Sequence, residues 1–238
     1  MTLIVHHLGH SQSDRIVWLC EELGLQYTLK KYDRSPVLAP PEFKALHPIG
    51  AAPVIEDTLP NSGDKEGKKI KLAETQACVE WICNKHGHGR LLVSPHEENY
   101  ADFLYWYHIT NGTLQPSVGR LMAMQLAGIP AGNETLKRYE AKIYQVLGLV
   151  DERLGRSTCL AGEELTVADI MIIFSLTTMR EFCPFDLSNY KNILSYIQKI
   201  VKRPAYQSYL QKGDPDIAIH NYVQGPPPPK HPALAGHK

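Results

Sequence analysis

The sequence lacks a Cys-x-x-Cys pair. Its five cysteines (Cys20, Cys78, Cys83, Cys159, Cys183) are odd in number and scattered, which argues against a secreted disulfide framework and for a reducing, cytoplasmic setting. It lacks net charge, with 25 Lys+Arg against 25 Asp+Glu, and no basic run is longer than Lys68-Lys69. No nucleic-acid partner is expected from such a chain. It also lacks a long apolar stretch: the most apolar run, Ile170 to Leu176, falls far short of the roughly 20 residues of a membrane span. No basic lead precedes an apolar segment at the start, so no signal peptide is expected. There is no internal repeat. What is present is 43% hydrophobic residues over 238, enough for two ordinary domains or one large one, with a small molecule or another protein as partner.

The first third of the chain reads as a small α/β unit. "TLIVHHL" (Thr2 to Leu8) is β-branched and turn-bounded, and "SDRIVWLCEELGL" follows with helical spacing, Ile16, Leu19, Cys20 and Leu23 making the apolar stripe. "QYTLKKY" is a second strand, "PPEFKALHP" a short helix bounded by prolines, "PVIE" and "KKIKLA" two further strands joined by a polar turn, and "ETQACVEWICNKHG" a closing helix. The order β-α-β-α-β-β-α implies a sheet with helices against it.

From Glu97 onward the pattern is helical throughout, over residues 97–127, 134–154, 167–180, 190–202 and 204–211. "LTVADI" supplies the strongest local signal, with Thr166 as N-cap and Asp169 as its capping-box partner. The expected division is an α/β domain at 1–88, an all-α domain at 96–212 and a Pro-rich tail at 213–238, either disordered or an extended wrap.

Two stretches carry chemistry. In "HPIGAAPVIED" (47–57), Pro53 stands immediately before a strand. A proline there is either at an edge, a bulge or the first position of a strand, or a cis residue that turns the chain sharply. Further on, Glu74 and Thr75 stand where a helix begins. A carboxylate beside free helix-start N–H groups suits an α-amino acid: Glu74 meets the ammonium while the Thr75 hydroxyl and N–H meet the carboxylate. The plainer alternative is that both residues merely favour a helix start. "CNKHGH" (83–88) has no second ligand pair at zinc-like spacing, so no metal is expected there.

In this order and spacing, "HSQSDRIVWLCEELGL", "HPIGAAPVIED", "LAETQACVEWI" and "LTVADI" resemble the glutathione S-transferase family over residues 1 to about 212. The wording of "APPEFKALHPIGAAPVIE" is similar to serine-type, theta-like members of fungi and bacteria. The resemblance implies a thioredoxin-like N-terminal domain followed by an all-helical domain, a cis Pro53, and Val54 offering its backbone to the cysteinyl part of glutathione. It implies a cytoplasmic homodimer with glutathione as co-substrate and an apolar small-molecule electrophile as the second substrate. Peroxidase, ether-cleaving or reductase chemistry on the same site, or a non-catalytic binding module, are the alternatives. The family usually has serine where Thr75 stands, and many members have lysine or glutamine at the position of Ala51. The glycyl carboxylate is then left to Lys44 or His47.

A free thiol ionises near pH 8.5, so the site must favour the thiolate, and a shift of about 2 units needs about 2.7 kcal/mol. Tyrosine is absent before Tyr27, and Cys20 lies within the helix on its apolar face, which leaves Ser11 and Ser13 as hydroxyl donors. Ser11 stands four residues before Arg15, the spacing of the catalytic serine and following arginine in the theta-like members it resembles. It is the expected thiol donor, with Ser13 or neither as the alternatives. A Ser11–Asp14 capping box is the competing structural reading. Arg15 either supports the site or pairs with Glu22 on the surface. The electrophile pocket is expected from Phe103, Trp106 and Tyr107, with His6, His7 and Leu8 facing the same cleft.

Overall fold

The computed structural model describes residues 3–34, 38–59 and 67–234. The expected strand position Thr2, most of the polar turn before "KKIKLA" and the last four residues of the tail lie outside them.

The chain divides into two compact units, Met1–Leu92 with Arg203–Ile217, and Val93–Lys202 with Ala218–Lys238. The first unit runs β1 (Ile4–Leu8), α1 (Asp14–Glu22), β2 (Thr28–Tyr32), α2 (Pro41–Lys44), β3 (Val54–Leu59), β4 (Lys68–Ala73) and α3 (Thr75–Lys85). The four strands form one mixed sheet in the order β2-β1-β3-β4. β1 and β2 are parallel, as a helical crossover demands, while β1–β3 and β3–β4 are antiparallel.

Successive side chains of a strand point to opposite faces. Leu8, Val54 and Ala73 therefore share one face, where Phe43 of α2 and Ala39 bury against them. Val5 and Ile55 share the other, and like the stripe of α1 (Ile16, Leu19, Cys20) and Val79 and Ile82 of α3 they are at most 1% exposed. The same alternation corrects the expectation that His6, His7 and Leu8 look into one cleft. His6 lies on the α2 face, 3.0 Å from the Tyr32 hydroxyl and 3.3 Å from a Glu56 oxygen. His7 points the opposite way and is fully buried.

A last helix, α10 (Pro204–Lys212), belongs to this first unit, although its pattern groups it with the helical half in sequence. Its inner face explains why. Tyr206 meets Trp18 edge-on at 5.2 Å, and Arg203 grips Glu22 through two hydrogen bonds of 2.6 and 2.9 Å.

The second unit is helical: α4 (Tyr100–Ile109), a π-helical segment (Thr110–Leu114), α5 (Gln115–Leu126), α6 (Glu134–Leu154), α7 (Val167–Leu176), α8 (Met179–Phe182) and α9 (Lys191–Ile200). The π segment interrupts what the sequence pattern reads as one long helix, 97–127. The Thr166–Asp169 capping box forms as expected. The buried Asp169 carboxylate also accepts from Leu160 N–H and the Tyr196 hydroxyl, at 2.9 and 2.8 Å, locking α7 to α9 and the preceding loop. Within the expected tail, residues 213–217 belong to the first unit and residues 218–234 run over the second: the buried Arg180 donates to Gly225 O and Pro226 O, and His231 N–H to Glu181 O. No described helix is long and apolar enough to cross a membrane.

Candidate active site

The β1–α1 turn is held from both sides. Arg34 donates to Gly9 O at 2.9 Å and His10 O at 3.0 Å, and Asp214, just beyond α10, accepts from His10 N–H at 3.0 Å. His10 sits at φ 50°, a left-handed conformation that these bonds fix. Burial alone would raise the Asp214 carboxyl. Hydrogen bonds from His7 and the His10 N–H reverse that and hold it below the ordinary range.

Ser11 and Ser13 both end up inside, at 3% and 0% exposure. Ser13 is the N-cap of α1, but its side chain does not cap the helix. It turns back toward β1, accepting from Leu8 N–H at 3.1 Å and lying 2.9 Å from His7 Nδ1 and 2.7 Å from Ser11 Oγ. Asp14 is the first helical residue, so Ser11 and Asp14 do not stand as N-cap and N3, and the capping-box alternative for Ser11 is not realised. Ser11 Oγ instead accepts from Ser13 N–H at 3.2 Å.

Arg15 is fully buried and does not pair with Glu22, whose carboxylate is taken by Trp18 and Arg203. Burial pushes its guanidinium down to about 10, opposed by neighbouring Asp14. Its Nη1 donates to Gln12 Oε1 at 3.1 Å, and the same oxygen accepts from the Thr75 hydroxyl at 3.2 Å. Gln12 thus ties the β1–α1 turn to the start of α3. Nothing in its local sequence marks that role.

The sheet register assembles the remaining candidates. The Ala52-Pro53 bond is cis, and Val54 is the first residue of β3, paired with His6 on one side and Ala73 on the other. Ala73 leads directly into Glu74, which is exposed and holds φ 71°, ψ 122°. A non-glycine residue there costs about 1–3 kcal/mol. Thr75 is 2% exposed. Lys44 is exposed beside the anchoring Phe43 of α2, and Gly50, at φ 61°, lies within 3.8 Å of the Lys44 side chain when given a Cβ. His47 Nδ1 accepts from Ile49 N–H, leaving Nε2 for another partner.

Phe103, Trp106 and Tyr107 of α4 are buried at 6% exposure or less, Phe103 and Tyr107 stacking at 5.5 Å; Tyr105 is half-exposed. They belong to the second unit and His7 to the first. All five cysteines are free and buried. In "CNKHGH", His86 meets Asp57 Oδ2 at 2.7 Å and Cys83 is core. His10, Asp214 and Asp216 bring three ligand-type atoms within 4.8 Å of one another. His10 Nε2 is hydrogen-bonded to the exposed Asp216 at 3.1 Å.

Two family models match: Glutathione S-transferase, N-terminal domain, over residues 11–85, and Glutathione S-transferase, C-terminal domain, over residues 99–204. The chain belongs to the glutathione S-transferase family. It is 27% identical to Glutathione S-transferase 3 of Schizosaccharomyces pombe over 95% of this chain and 96% of that one. It is also 27% identical to Disulfide-bond oxidoreductase YfcG of Escherichia coli, over 83% and 89%. Among solved structures it resembles a glutathione S-transferase from Actinobacillus pleuropneumoniae, 28% identical, with a TM-score of 0.78 over 93% of this chain and 98% of that one. In this family the first unit is the thioredoxin-like domain and the second the helical domain.

Proposed function

We infer that this glutathione transferase is of the serine type, with Ser11 donating its hydroxyl to the glutathione thiolate. The observation that carries the reading is the strand register. Val54 pairs with both His6 and Ala73, so the residues that follow β1, the Pro53 turn and the Glu74–Thr75 helix start converge on one end of the sheet. The Gln12–Thr75 hydrogen bond closes that cluster.

Glutathione presents an α-amino acid, a thiol and a terminal carboxylate. Glu74 takes the ammonium, while the Thr75 hydroxyl and N–H, at the positive end of α3, take the α-carboxylate. Val54 supplies backbone groups to the cysteinyl unit beside Pro53. Lys44 or His47 meets the glycyl carboxylate, since Ala51 offers no cation. Ser11 lies just ahead of the α1 N-terminus, so its hydroxyl and the helix dipole both favour the thiolate. Holding that thiolate near an apolar electrophile then lowers the barrier by proximity and charge stabilisation. The enzyme works as a cytoplasmic homodimer.

The Escherichia coli relative's name favours disulfide reduction as a second reading. The absence of a cysteine before α1 weighs against it, because Cys20 is buried and its thiol is pushed far up by that burial. The test is retention of the native protein on immobilised glutathione, followed by aryl halide, peroxide and disulfide substrates. Retention with turnover of the halide is expected. Flow-through, or turnover of disulfides alone, overturns the reading.

A further inference from the structure

Four polar side chains of the first unit form one unbroken line. Asp214 Oδ2 lies 3.0 Å from His7 Nε2, His7 Nδ1 2.9 Å from Ser13 Oγ, and Ser13 Oγ 2.7 Å from Ser11 Oγ. None of the four is more than 3% exposed. We propose that Asp214, His7 and Ser13 form a proton relay behind Ser11, which carries the proton of the glutathione thiol to His7 and leaves the Ser11 hydroxyl donating to the thiolate. This rests on the reading of Ser11 as the thiol's partner.

Counting hydrogens shows why the line has two states. An ionised Asp214 only accepts, so His7 Nε2 carries a hydrogen in both. One lone pair of Ser13 Oγ is taken by Leu8 N–H, and Ser11 Oγ accepts from Ser13 N–H; the Ser13 hydrogen also has Leu8 O within reach at 3.3 Å, farther than His7 Nδ1 at 2.9 Å or Ser11 Oγ at 2.7 Å. When His7 is neutral, its Nδ1 accepts. Ser13 then donates to His7, Ser11 donates to Ser13, and Ser11 turns a lone pair toward the thiol. When His7 is protonated, Nδ1–H donates to Ser13, Ser13 donates to Ser11, and the Ser11 hydrogen is free for the sulfur.

The two states interconvert by three short transfers. The S–H bond breaks, with its electron pair staying on sulfur and its proton joining Ser11 Oγ. The hydrogen that Ser11 held passes to Ser13 Oγ, and that of Ser13 passes to His7 Nδ1. The sum is thiol plus imidazole giving thiolate plus imidazolium, with no atom gained or lost. A serine hydroxyl is no useful base by itself, whereas a histidine is the side chain suited to taking a proton near neutrality. The imidazolium is met by Asp214, as a carboxylate meets it in a serine–histidine–aspartate triad.

The surroundings are built for that pair. A Cβ at Gly213 would lie 3.1 Å from His7 Nε2, so a residue without one lets the ring reach Asp214. The His10 N–H and the Tyr209 hydroxyl, at 3.0 and 3.4 Å, hold the Asp214 carboxylate. The other charged groups near the pair are Arg34, which acts on Asp214; His10, bonded to the exposed Asp216; Lys31, opposite His7 on β2 and exposed; and Lys212 of α10, paired with Glu21. His7 and Asp214 are positioning residues, since only Ser11 touches the substrate. A merely structural role would have them fasten the α10 end to β1 and nothing more.

The test is nitrogen NMR of the His7 ring in the full chain at about pH 7.5, with glutathione as the probe and ultraviolet absorbance reporting the thiolate. We expect a neutral, Nε2-protonated ring in the free protein and a doubly protonated ring once glutathione binds. If thiolate forms, disappears in Ser11→Ala, and leaves His7 neutral throughout, the relay is overturned and the reading of Ser11 stands. Thiolate unchanged in Ser11→Ala overturns both. As a second arm, Asp214→Asn should raise the pKa of bound glutathione by about 1 unit or more, with its dissociation constant changed less than about threefold. That shift should vanish in a Ser11→Ala background, and an additive shift contradicts the relay.

Discussion

Trp18 of α1 and Tyr206 of α10 meet edge to face, with ring centroids 5.2 Å apart and planes at 79°. This contact binds a helix that is nearly two hundred residues away in sequence to the first unit, and with it Asp214. Tyr206 is 1% exposed, so Tyr206→Ala should cost about 3–5 kcal/mol, the usual loss for a buried aromatic. A denaturant melt reads this directly. A loss under about 1 kcal/mol would place α10 outside the folded core of the unit.

Glu74 sits at φ 71°, ψ 122°, where a side chain costs about 1–3 kcal/mol relative to a relaxed backbone. Glu74→Gly should therefore stabilise the fold by about 1 kcal/mol. Glu74→Ala and Glu74→Gly should both weaken glutathione binding by about 2 kcal/mol or more, roughly thirtyfold, because the ligand's ammonium loses its partner. Calorimetry beside thermal melts separates the two effects. Unchanged affinity in both variants would leave Glu74 as a helix-start residue only.

Two buried carboxylates, Asp57 and Asp214, contribute to the acid side of the stability curve. Burial alone would raise Asp57 and Asp214. Hydrogen bonds from Trp81 and His86 to Asp57, and from His7 and His10 to Asp214, outweigh that and hold both below the ordinary range. A carboxyl depressed in the folded state contributes stability above its unfolded pKa, near 3.9, and loses it as pH falls through the folded value. Stability should be flat in these groups near neutrality and fall on acidification below about pH 4. Asp57→Asn should flatten part of that fall. An identical acid profile in the variant would contradict the assignment.

All five cysteines are buried and free. Burial pushes the Cys78 and Cys83 thiols up to about 12 and Cys183 up to about 11. Since the thiolate is the reactive form, alkylation of the native protein should be slow and should follow unfolding. Fast modification of one cysteine in the folded protein would revive the disulfide-exchange reading.

The secondary structure was largely legible because each element carries its own period and stops. The crossover strand pair, the 134–154 helix and the Thr166 capping box all follow from local pattern. Pro53 is legible too, as a residue type suited to the turn before β3, and Glu74 as a helix start, although its costly backbone conformation is not. What stayed illegible depends on contacts distant in sequence. α10 has the grammar of the helical half and the packing partner of the other. Asp214 lies 207 residues from His7, in a segment that reads as a tail. The two-residue side-chain period along β1 was readable in principle: it separates His7 from His6 and Leu8, and a reading of the strand end as one surface overlooked it. Gln12 links Arg15 and Thr75, and no spacing rule announces a glutamine in that position.

The central claim is that the Ser11 hydroxyl stabilises the glutathione thiolate. Ultraviolet titration of bound glutathione, in the native protein and in Ser11→Ala, tests it most directly. The native complex should ionise about 2 units below the free thiol's value near 8.5, and Ser11→Ala should return most of that shift while glutathione affinity stays nearly unchanged. A thiol pKa that does not move in a folded, glutathione-binding Ser11→Ala protein would contradict the account.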